Sequence, residues 1–178
     1  DMEPAVSRIR KAIIGGEKIL IFGDYDVDGV TSVVILLTFL RYVGADVTYY
    51  IPHRIDEGYS IQPGHIVRYA HPHKFDLIIT ADCGSGSHQA VEAANRFGID
   101  MIITDHHTIS RDIPPALAVI NPKRHDCSAG LQNLAGVGVA FFLLISLRTR
   151  LREAGYWGAR PEPNLKEYCD LVALGTVA

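Results

Sequence analysis

The chain has little cysteine and no excess of positive charge. Its 178 residues contain three cysteines, Cys83, Cys127 and Cys169, which are widely spaced and form no C-x-x-C pair. This pattern argues against a disulfide framework and a structural zinc site, and it suits a reducing compartment, so we expect a cytoplasmic protein. The formal net charge is −3. A phosphate-bearing ligand is therefore not attracted by the overall charge and has to be held locally.

Long hydrophobic runs are also missing. The longest apolar stretch, residues 137–147, contains Ser146 and is followed by arginines, so it is too short to cross a bilayer. The first eleven residues are polar and include no cleavable apolar segment. We therefore expect no signal peptide and no membrane partner. With 48% hydrophobic and 21% charged residues, the composition is typical of a soluble globular domain.

Apolar runs that alternate with amphipathic stretches predict the fold. Five short runs rich in β-branched residues are typical of buried strands, and stretches with helical spacing lie between and around them. The predicted strands occupy residues 18–23, 46–51, 75–80, 100–104 and 116–120. The predicted helices occupy residues 30–44, 63–70, 87–97, 136–154 and 165–177. Such alternation favours right-handed crossovers, so the sequence predicts an α/β, doubly wound, mainly parallel five-stranded sheet with helices on both faces.

Acidic residues collect directly after three of the predicted strands. They are Asp24, Asp26, Asp28, Asp82 and Asp105. Because the carboxyl ends of parallel strands meet at one edge of a sheet, these side chains fall into one crevice. Two like charges ~4 Å apart repel by about 4 kcal/mol at an effective dielectric constant of ~20, so the arrangement needs a neutralising cation.

The histidines beside Asp105 narrow the choice of cation and chemistry. His106 and His107 add imidazole ligands to the carboxylates, a mixture that suits Mn²⁺ or Mg²⁺ better than structural zinc. Two such metals bridged by one carboxylate clamp a phosphoryl group and activate water for in-line attack. The spacing alone therefore predicts metal-dependent phosphoester hydrolysis.

Other interpretations of the first acidic motif fit less well. D-x-D-x-D-G at 24–29 matches the first half of a calcium-binding EF-hand loop, but its twelfth position is Ile35 and the motif follows a strand. The run D-V-D-G-V-T at 26–31 resembles the nucleophile motif of haloacid-dehalogenase-type phosphatases, which pair it with later acids and a lysine. This chain offers a His-His pair instead. Taken singly, Asp82 also fits an ordinary turn, and the Asp105 triplet also fits a helix cap.

Two further features are compatible with phosphate binding. Gly136 and Gly138 lie at the start of a predicted helix, where backbone amides attract anions, although close packing of helix on sheet explains them equally well. Arg54 lies in the loop after the second strand, where its guanidinium is positioned to point into the crevice.

Four segments together resemble the motif pattern of the DHH-family phosphoesterases, named for the triplet at 105–107. They are GDYDVDGVTS at 23–32, ITADCGS at 79–85, ITDHH at 103–107 and NPKR at 121–124. Within that family, the segments at 50–60, 134–143 and 170–178 resemble the branch of bacterial exonucleases that degrade single-stranded DNA from the 5′ end. The resemblance covers the chain from about Lys18 to Ala178.

The resemblance implies a set of metal ligands. Asp26 and Asp28 would each hold one of two Mn²⁺ or Mg²⁺ ions, Asp82 would bridge the ions, and His106 would complete the second site. Asp24 would be a further ligand or a partner of one. Water activated at the metals would attack phosphorus and release 5′-mononucleotides.

The resemblance also implies the catalytic and substrate-binding residues. Asp105 would orient the histidines and His107 would contact the scissile phosphate, which makes them the catalytic pair. Arg54 would lie near the 5′ phosphate of the DNA, and Gly136 and Gly138 would line the substrate site.

The implied protein is an exonuclease of DNA repair and recombination, with this chain as its catalytic domain. We expect an N-terminal helix at about 1–17, an α/β core at 18–122 and a helical segment at 136–178 that leads to a second domain absent from the chain. The expected partners are single-stranded DNA with a 5′ end and the missing C-terminal domains, and we expect a monomer.

The ends of the chain carry an expectation of their own. The chain begins with Asp1 and stops within an apolar run, so we expect a piece of a longer protein. Because the family supplies another metal ligand directly after G-T-V-A, residue 179 is expected to be Asp, and the piece alone to be weak or inactive. The alternatives are a hydrolase of short oligonucleotides, cyclic dinucleotides or small phosphates, and a catalytically inactive scaffold.

Overall fold

The computed structural model describes residues 1–110, 112–158 and 160–178. Its centre is a five-stranded sheet in which all neighbouring strands pair in parallel, in the order β2-β1-β3-β4-β5. The strands are β1 Lys18–Gly23, β2 Asp46–Tyr50, β3 Leu77–Ala81, β4 Asp100–Thr104 and β5 Ala118–Ile120. The predicted doubly wound sheet is confirmed, and the strand ends differ from the prediction by no more than two residues.

Six α-helices surround the sheet in the described part of the chain. They are α1 Met2–Gly15, α2 Val27–Tyr42, α3 Pro63–His65, α4 His88–Arg96, α5 Gly136–Glu153 and α6 Cys169–Val177. A π-helical segment, Ile66–Ala70, continues α3, and a 3-10 segment, Leu165–Tyr168, precedes α6. Among these described helices, none combines the length and the apolar character that crossing a membrane requires.

Helix α2 begins three residues earlier than its apolar spacing predicts. Asp26 has extended backbone angles, and its Oδ1 accepts a hydrogen bond from Gly29 N at 2.9 Å. This is the capping arrangement that satisfies an amide in the first turn of a helix. The acidic motif therefore follows β1 directly and includes the first turn of α2.

The side chains of β1 alternate between two cores. Ile19 and Ile21 pack with residues of α1, α2 and α5 on one face of the sheet. Leu20 and Phe22 pack with residues of α4 and the π-helical segment on the other face. A strand buried on both faces needs apolar residues at every position, which explains the continuous run that β1 shows in the sequence.

The strand order places a topological switch between β1 and β3. From β1 the chain crosses to β2 on one side and then returns to β3 on the other side. In a doubly wound sheet, a crevice opens at the carboxyl ends of the strands on either side of such a switch. The residues that follow β1 and β3 therefore face each other across this crevice.

Candidate metal centre

Asp24 forms the buried base of the crevice. Its amide donates to the carbonyl of Ala81 at 3.1 Å, and its Oδ1 accepts from Tyr25 N at 2.7 Å. A Cβ on Gly29 would lie 2.6 Å from both the Cβ and the carbonyl oxygen of Asp24. The first turn of α2 can therefore pack against Asp24 only with glycine at position 29. Burial raises the pKa of the Asp24 carboxyl.

Asp28 links the first acidic motif to helix α5. Its Oδ2 accepts from Gly136 N and its Oδ1 from Val137 N, both at 2.7 Å. The positive end of the helix dipole stabilises a carboxylate at this position. Asp28 thus fastens the beginning of α5 to the beginning of α2, with Oδ2 3.6 Å from His106 Nε2.

Asp82 is a buried carboxylate without hydrogen bonds. It follows β3 with a backbone φ of 63°, and its side chain is 1% exposed. Among the residues that the structure describes, none donates a hydrogen bond to either of its carboxylate oxygens. Burial, followed by the negative charge of Asp28, raises the pKa of Asp82 well above its usual range. An ionised carboxylate in such a place is costly unless a cation joins it.

The beginning of α5 lies directly against Asp82. A Cβ on Gly136 would lie 2.2 Å from Asp82 Oδ1, so the close approach of the helix requires glycine there. A Cβ on Gly138 would lie 3.0 Å from Leu134 Cδ2, a packing contact. The amide of Gly136 already donates to Asp28. The phosphate contact of the two glycines stays a prediction.

Asp105 is equally buried but fully hydrogen-bonded. Its Oδ2 accepts from Ser85 N at 2.8 Å, and its Oδ1 accepts from the amides of His106 and His107 at 2.7 and 3.0 Å. The same Oδ1 accepts from His107 Nδ1 at 2.8 Å. Although burial acts to raise it, the hydrogen bonds from His107 and Ser85 hold the pKa of Asp105 at about 2. Asp105 therefore contacts the backbone amides of both histidines and the ring of His107, and its role in orienting them stays a prediction.

The two histidines take different partners. His106 Nδ1 lies 2.9 Å from the carbonyl oxygen of Leu134, which can only accept, so in the neutral ring Nδ1 carries the proton and Nε2 keeps its lone pair. That lone pair lies 3.3 Å from Asp82 Oδ1. His107 is held by Asp105, whose hydrogen bond raises the pKa of the imidazole. Tyr59 contacts His107, with its hydroxyl 3.2 Å from Nδ1.

Two groups of potential ligand atoms share Asp82. One consists of Asp24, Asp26 and Asp82, the other of Asp82, His106 and His107, and within each group the atoms lie within 4.8 Å of one another. The oxygens of Asp82 receive no hydrogen bond from the described residues, and Nε2 of His106 lies 3.3 Å from one of them. A divalent cation can bind both groups, so the donor set fits a centre for two metals with Asp82 in common.

Arg54 lies beside the first acidic motif. It is exposed, in the loop between β2 and α3, and its Cζ lies 5.4 Å from the centre of the Tyr25 ring. A guanidinium at this distance from an aromatic face is held by a cation–π interaction. The predicted site residues therefore meet at one edge of the sheet, while their individual roles stay predictions.

Three residues to which the sequence assigned no role also belong to this edge: Ser85, Asn121 and Tyr59. Asn121 Nδ2 donates to Ser85 Oγ at 2.8 Å and to the carbonyl of His107 at 2.9 Å, which joins the loops after β3, β4 and β5. The signal for Asn121 is its place directly after a strand, at the same sheet edge as the acids. Tyr59 lies in an irregular loop, and no sequence pattern points to its contact with His107.

A comparison with protein families identifies the domain type. The model of the DHH family, N-terminal domain, matches residues 18–176. Among curated proteins, the chain is 45% identical over 177 residues to the single-stranded-DNA-specific exonuclease RecJ of Dickeya dadantii. It is 43% identical over 180 residues to RecJ of Escherichia coli. These alignments cover 98% and 99% of the chain but 31% of each relative, so the chain spans about a third of their length.

Solved structures with the same fold contain metal. The chain matches a crystal structure of exonuclease RecJ bound to manganese with a TM-score of 0.84 and 37% identity, over 99% of the chain and 42% of that protein. RecJ from Thermus thermophilus in complex with Mn²⁺ matches with a TM-score of 0.78 and 34% identity, over 99% of the chain and 24% of that protein. The sheet and its surrounding helices are thus those of a DHH domain.

Proposed function

Because the chain belongs to the DHH family, we propose that it forms the catalytic domain of a metal-dependent exonuclease that degrades single-stranded DNA from the 5′ end and releases 5′-mononucleotides. The observation that carries the proposal is the buried, unpartnered carboxylate of Asp82 facing the lone pair of His106. The similarity to RecJ proteins, whose names state their action on single-stranded DNA, supports the substrate class.

The proposed centre holds two Mn²⁺ or Mg²⁺ ions. Asp26 and Asp28 each contribute to one ion, Asp82 is shared, and His106 completes the second site, with Asp24 as a ligand or a support for one. When bound, the metals offset the charge of the phosphate and lower the pKa of water. The manganese in the matching RecJ structures supports this choice of metal.

The remaining side chains orient the DNA. Asp105 accepts a hydrogen bond from Nδ1 of His107 and so fixes the ring that contacts the scissile phosphate in this proposal. Arg54 is the proposed contact for the 5′ phosphate, because its guanidinium is the exposed cation beside the acidic motif. Gly136 and Gly138 line the same side of the crevice at the beginning of α5.

The wider proposal concerns the protein around this domain. Residues 1–178 act as one catalytic domain, with an N-terminal helix at about 1–17, the α/β core at 18–122 and a helical segment at 136–178. We propose further C-terminal domains as partners that hold the strand, because the chain spans 31% of its curated relatives. A monomer in the cytoplasm, acting in DNA repair and recombination, completes the proposal, and the unbridged cysteines of the described residues support that location.

The test uses the protein at the full length that its gene encodes, stripped of metal and then supplied with Mn²⁺. We expect a single strand labelled at the 5′ end to release labelled mononucleotides first, and the matching duplex to stay intact. Asp26→Ala should abolish release. Asp46→Ala, an exposed carboxylate on β2, is the matched control and should retain it.

Other outcomes would identify the alternatives. Hydrolysis of dinucleotides or cyclic dinucleotides without degradation of long strands would indicate the small-substrate hydrolase. Absence of hydrolysis of every substrate, together with no effect of Mn²⁺ on the melting temperature, would indicate the inactive scaffold.

A further inference from the structure

The loop between β2 and α3, residues 51–62, contains no helix or strand and borders the crevice, and we refer to it as the rim loop. Arg54 and Ile55 are exposed within it, and Ile55 is 86% exposed. The same loop nevertheless brings Arg54 to Tyr25 and Tyr59 to His107. Ile61 holds the end of the loop in the core, but none of residues 53–57 is buried, so polar contacts have to anchor that turn.

Glu57 supplies that anchor. Its Oε2 accepts from His53 N at 2.7 Å, while its own amide donates to the carbonyl of His53 at 2.9 Å, so the two residues close a single turn. Its Oε1 accepts from the hydroxyl of Tyr50, the last residue of β2. The carboxylate thus ties the exposed turn to the edge strand of the sheet.

His65 provides a second attachment on the other side of the loop. Its Nδ1 accepts from Gln62 N at 2.9 Å, so in the neutral ring the proton is on Nε2, which lies 3.5 Å from Glu57 Oε1. The ring packs against Phe22, with centroids 4.9 Å apart, and the side chain is 11% exposed. Glu57 therefore lies between a strand residue and a helix residue, both of which are fixed by the core.

The charges agree with this geometry. The hydrogen bond to Glu57 raises the pKa of Tyr50 to about 12, and the same bond lowers the pKa of Glu57. Hydrogen bonds to an ionised acceptor are stronger than those between neutral groups. A partly exposed carboxylate with three donors around it is thus a firm point in an otherwise irregular segment.

Taking the function proposed above as the premise, we infer that Glu57 is a positioning residue for the 5′ end of the DNA. It holds the rim loop so that Arg54 stays beside the acidic motif and Tyr59 stays on His107. Glu57 itself makes no hydrogen bond or ion pair with Arg54 or Tyr59. Its removal should weaken the capture of a 5′-phosphorylated end, which Arg54 contacts in the proposal. The chemical step should stay largely unchanged, because Asp105 still holds the ring of His107.

The experiment compares variants of the protein at the full length that its gene encodes. Glu57→Ala removes both acceptor oxygens, whereas Glu57→Gln retains one and Tyr50→Phe removes a single donor. Asp56→Ala is the matched control, because this neighbouring carboxylate is 76% exposed and pairs with His53 Nδ1 on the outer side of the loop. Melting temperatures establish that each variant is folded, and the Gln and Phe variants carry the test if Glu57→Ala is not.

Two readouts separate positioning from general damage. For 5′-phosphorylated single strands with Mn²⁺, we expect Glu57→Ala to raise KM about tenfold with kcat within about twofold, and the Gln and Phe variants to raise KM about threefold. In EDTA, where no hydrolysis occurs, fluorescence anisotropy should show that Glu57→Ala loses most of the preference for a 5′-phosphorylated over a 5′-hydroxyl strand. Asp56→Ala should match the wild type in both.

The outcomes distinguish this inference from the proposed function. If the wild type degrades single strands and Glu57→Ala keeps the wild-type KM and 5′-phosphate preference, the positioning role alone is overturned. A fall in kcat with an unchanged KM also overturns it. A wild type that degrades no single strand overturns the proposed function, and the binding comparison in EDTA still decides whether Glu57 controls the capture of the 5′ end.

Discussion

Asp82 and Asp105 follow neighbouring strands of the sheet and are equally hidden from solvent, yet their surroundings are opposite. Both residues are 1% exposed. Asp105 accepts four N–H hydrogen bonds, and its pKa falls to about 2. The oxygens of Asp82 accept none from the described residues, and its pKa rises. Burial alone therefore does not decide what a carboxylate does, because the number of donors aimed at it does.

The difference separates a carboxylate that is bound within the fold from one that is free to bind a ligand. Asp105 accepts hydrogen bonds from the amides of His106, His107 and Ser85, so its carboxylate joins the loops after β3 and β4. Asp82 is held in a left-handed backbone conformation, which non-glycine residues rarely adopt, and no described residue donates a hydrogen bond to its carboxylate. Backbone strain and a buried polar group without a partner are typical of a functional site, whereas complete hydrogen bonding is typical of a structural support.

The largest effect should come from removing the charge of Asp82. If the proposed function is correct, we expect Asp82→Asn to lower the exonuclease activity of the full-length protein by at least about 10³-fold. We also expect Mn²⁺ to raise the melting temperature of the wild type and not that of the variant. Without metal, the variant should be more stable than the wild type by about 1 kcal/mol, because a neutral amide can donate to the lone pair of His106. Thermal unfolding in EDTA and in Mn²⁺ measures both effects.

The corresponding change on the other carboxylate should act in the opposite direction on the metal-free protein. We expect Asp105→Asn to lower the free energy of unfolding by about 2–3 kcal/mol, because an amide group then faces N–H donors that lose their acceptor. Urea unfolding in EDTA measures this value, with Asp82→Asn in the same series as the control. If both variants change the free energy of unfolding in the same direction, the contrast between the two carboxylates is wrong.

The smallest effect should come from the side chain that supports the Asp105 loop from β5. We expect Asn121→Ala to lower the free energy of unfolding by about 1–2 kcal/mol, since it removes the hydrogen bonds to Ser85 and to the carbonyl of His107. Asn95→Ala is the control, because exposed Asn95 donates one hydrogen bond, to Pro115, away from the crevice; about 0.5 kcal/mol or less is expected. Urea unfolding of both variants decides whether Asn121 stabilises the Asp105 loop. Equal losses in the free energy of unfolding would show that it does not.

Much of the fold and the location of the crevice follow from local patterns. The β-branched runs of β1 and β4 and the acids directly after them predict a parallel sheet with a charged edge, because consecutive parallel strands have their carboxyl ends on the same side. The start of α2 was harder to predict. Its first turn reads as an acidic loop, and only the contact between Asp26 and Gly29 shows that it is helical.

The roles within the crevice depend on contacts between distant segments. Asp28 meets the beginning of α5 across 108 residues of chain, and Asn121 reaches Ser85 across 36. Gly136 reads as a possible phosphate contact in the sequence, whereas the structure shows that a side chain there would collide with Asp82. Glu57 and Tyr59 lie in a loop without periodicity, so no pattern in the sequence points to their partners.

By itself, then, the sequence determined the parallel sheet, the edge where the acids gather and the kind of chemistry that such a gathering requires. These follow from apolar periodicity and from charge repulsion, which depend on residue type and order. Only the tertiary structure decided which buried carboxylate is hydrogen-bonded and which is bare, because a hydrogen bond depends on a donor placed within about 3 Å and in line. At Asp105 those donors are the amide of Ser85 and the amides and ring nitrogen of its own loop, whereas none from the described residues reaches Asp82, and the whole fold sets these positions.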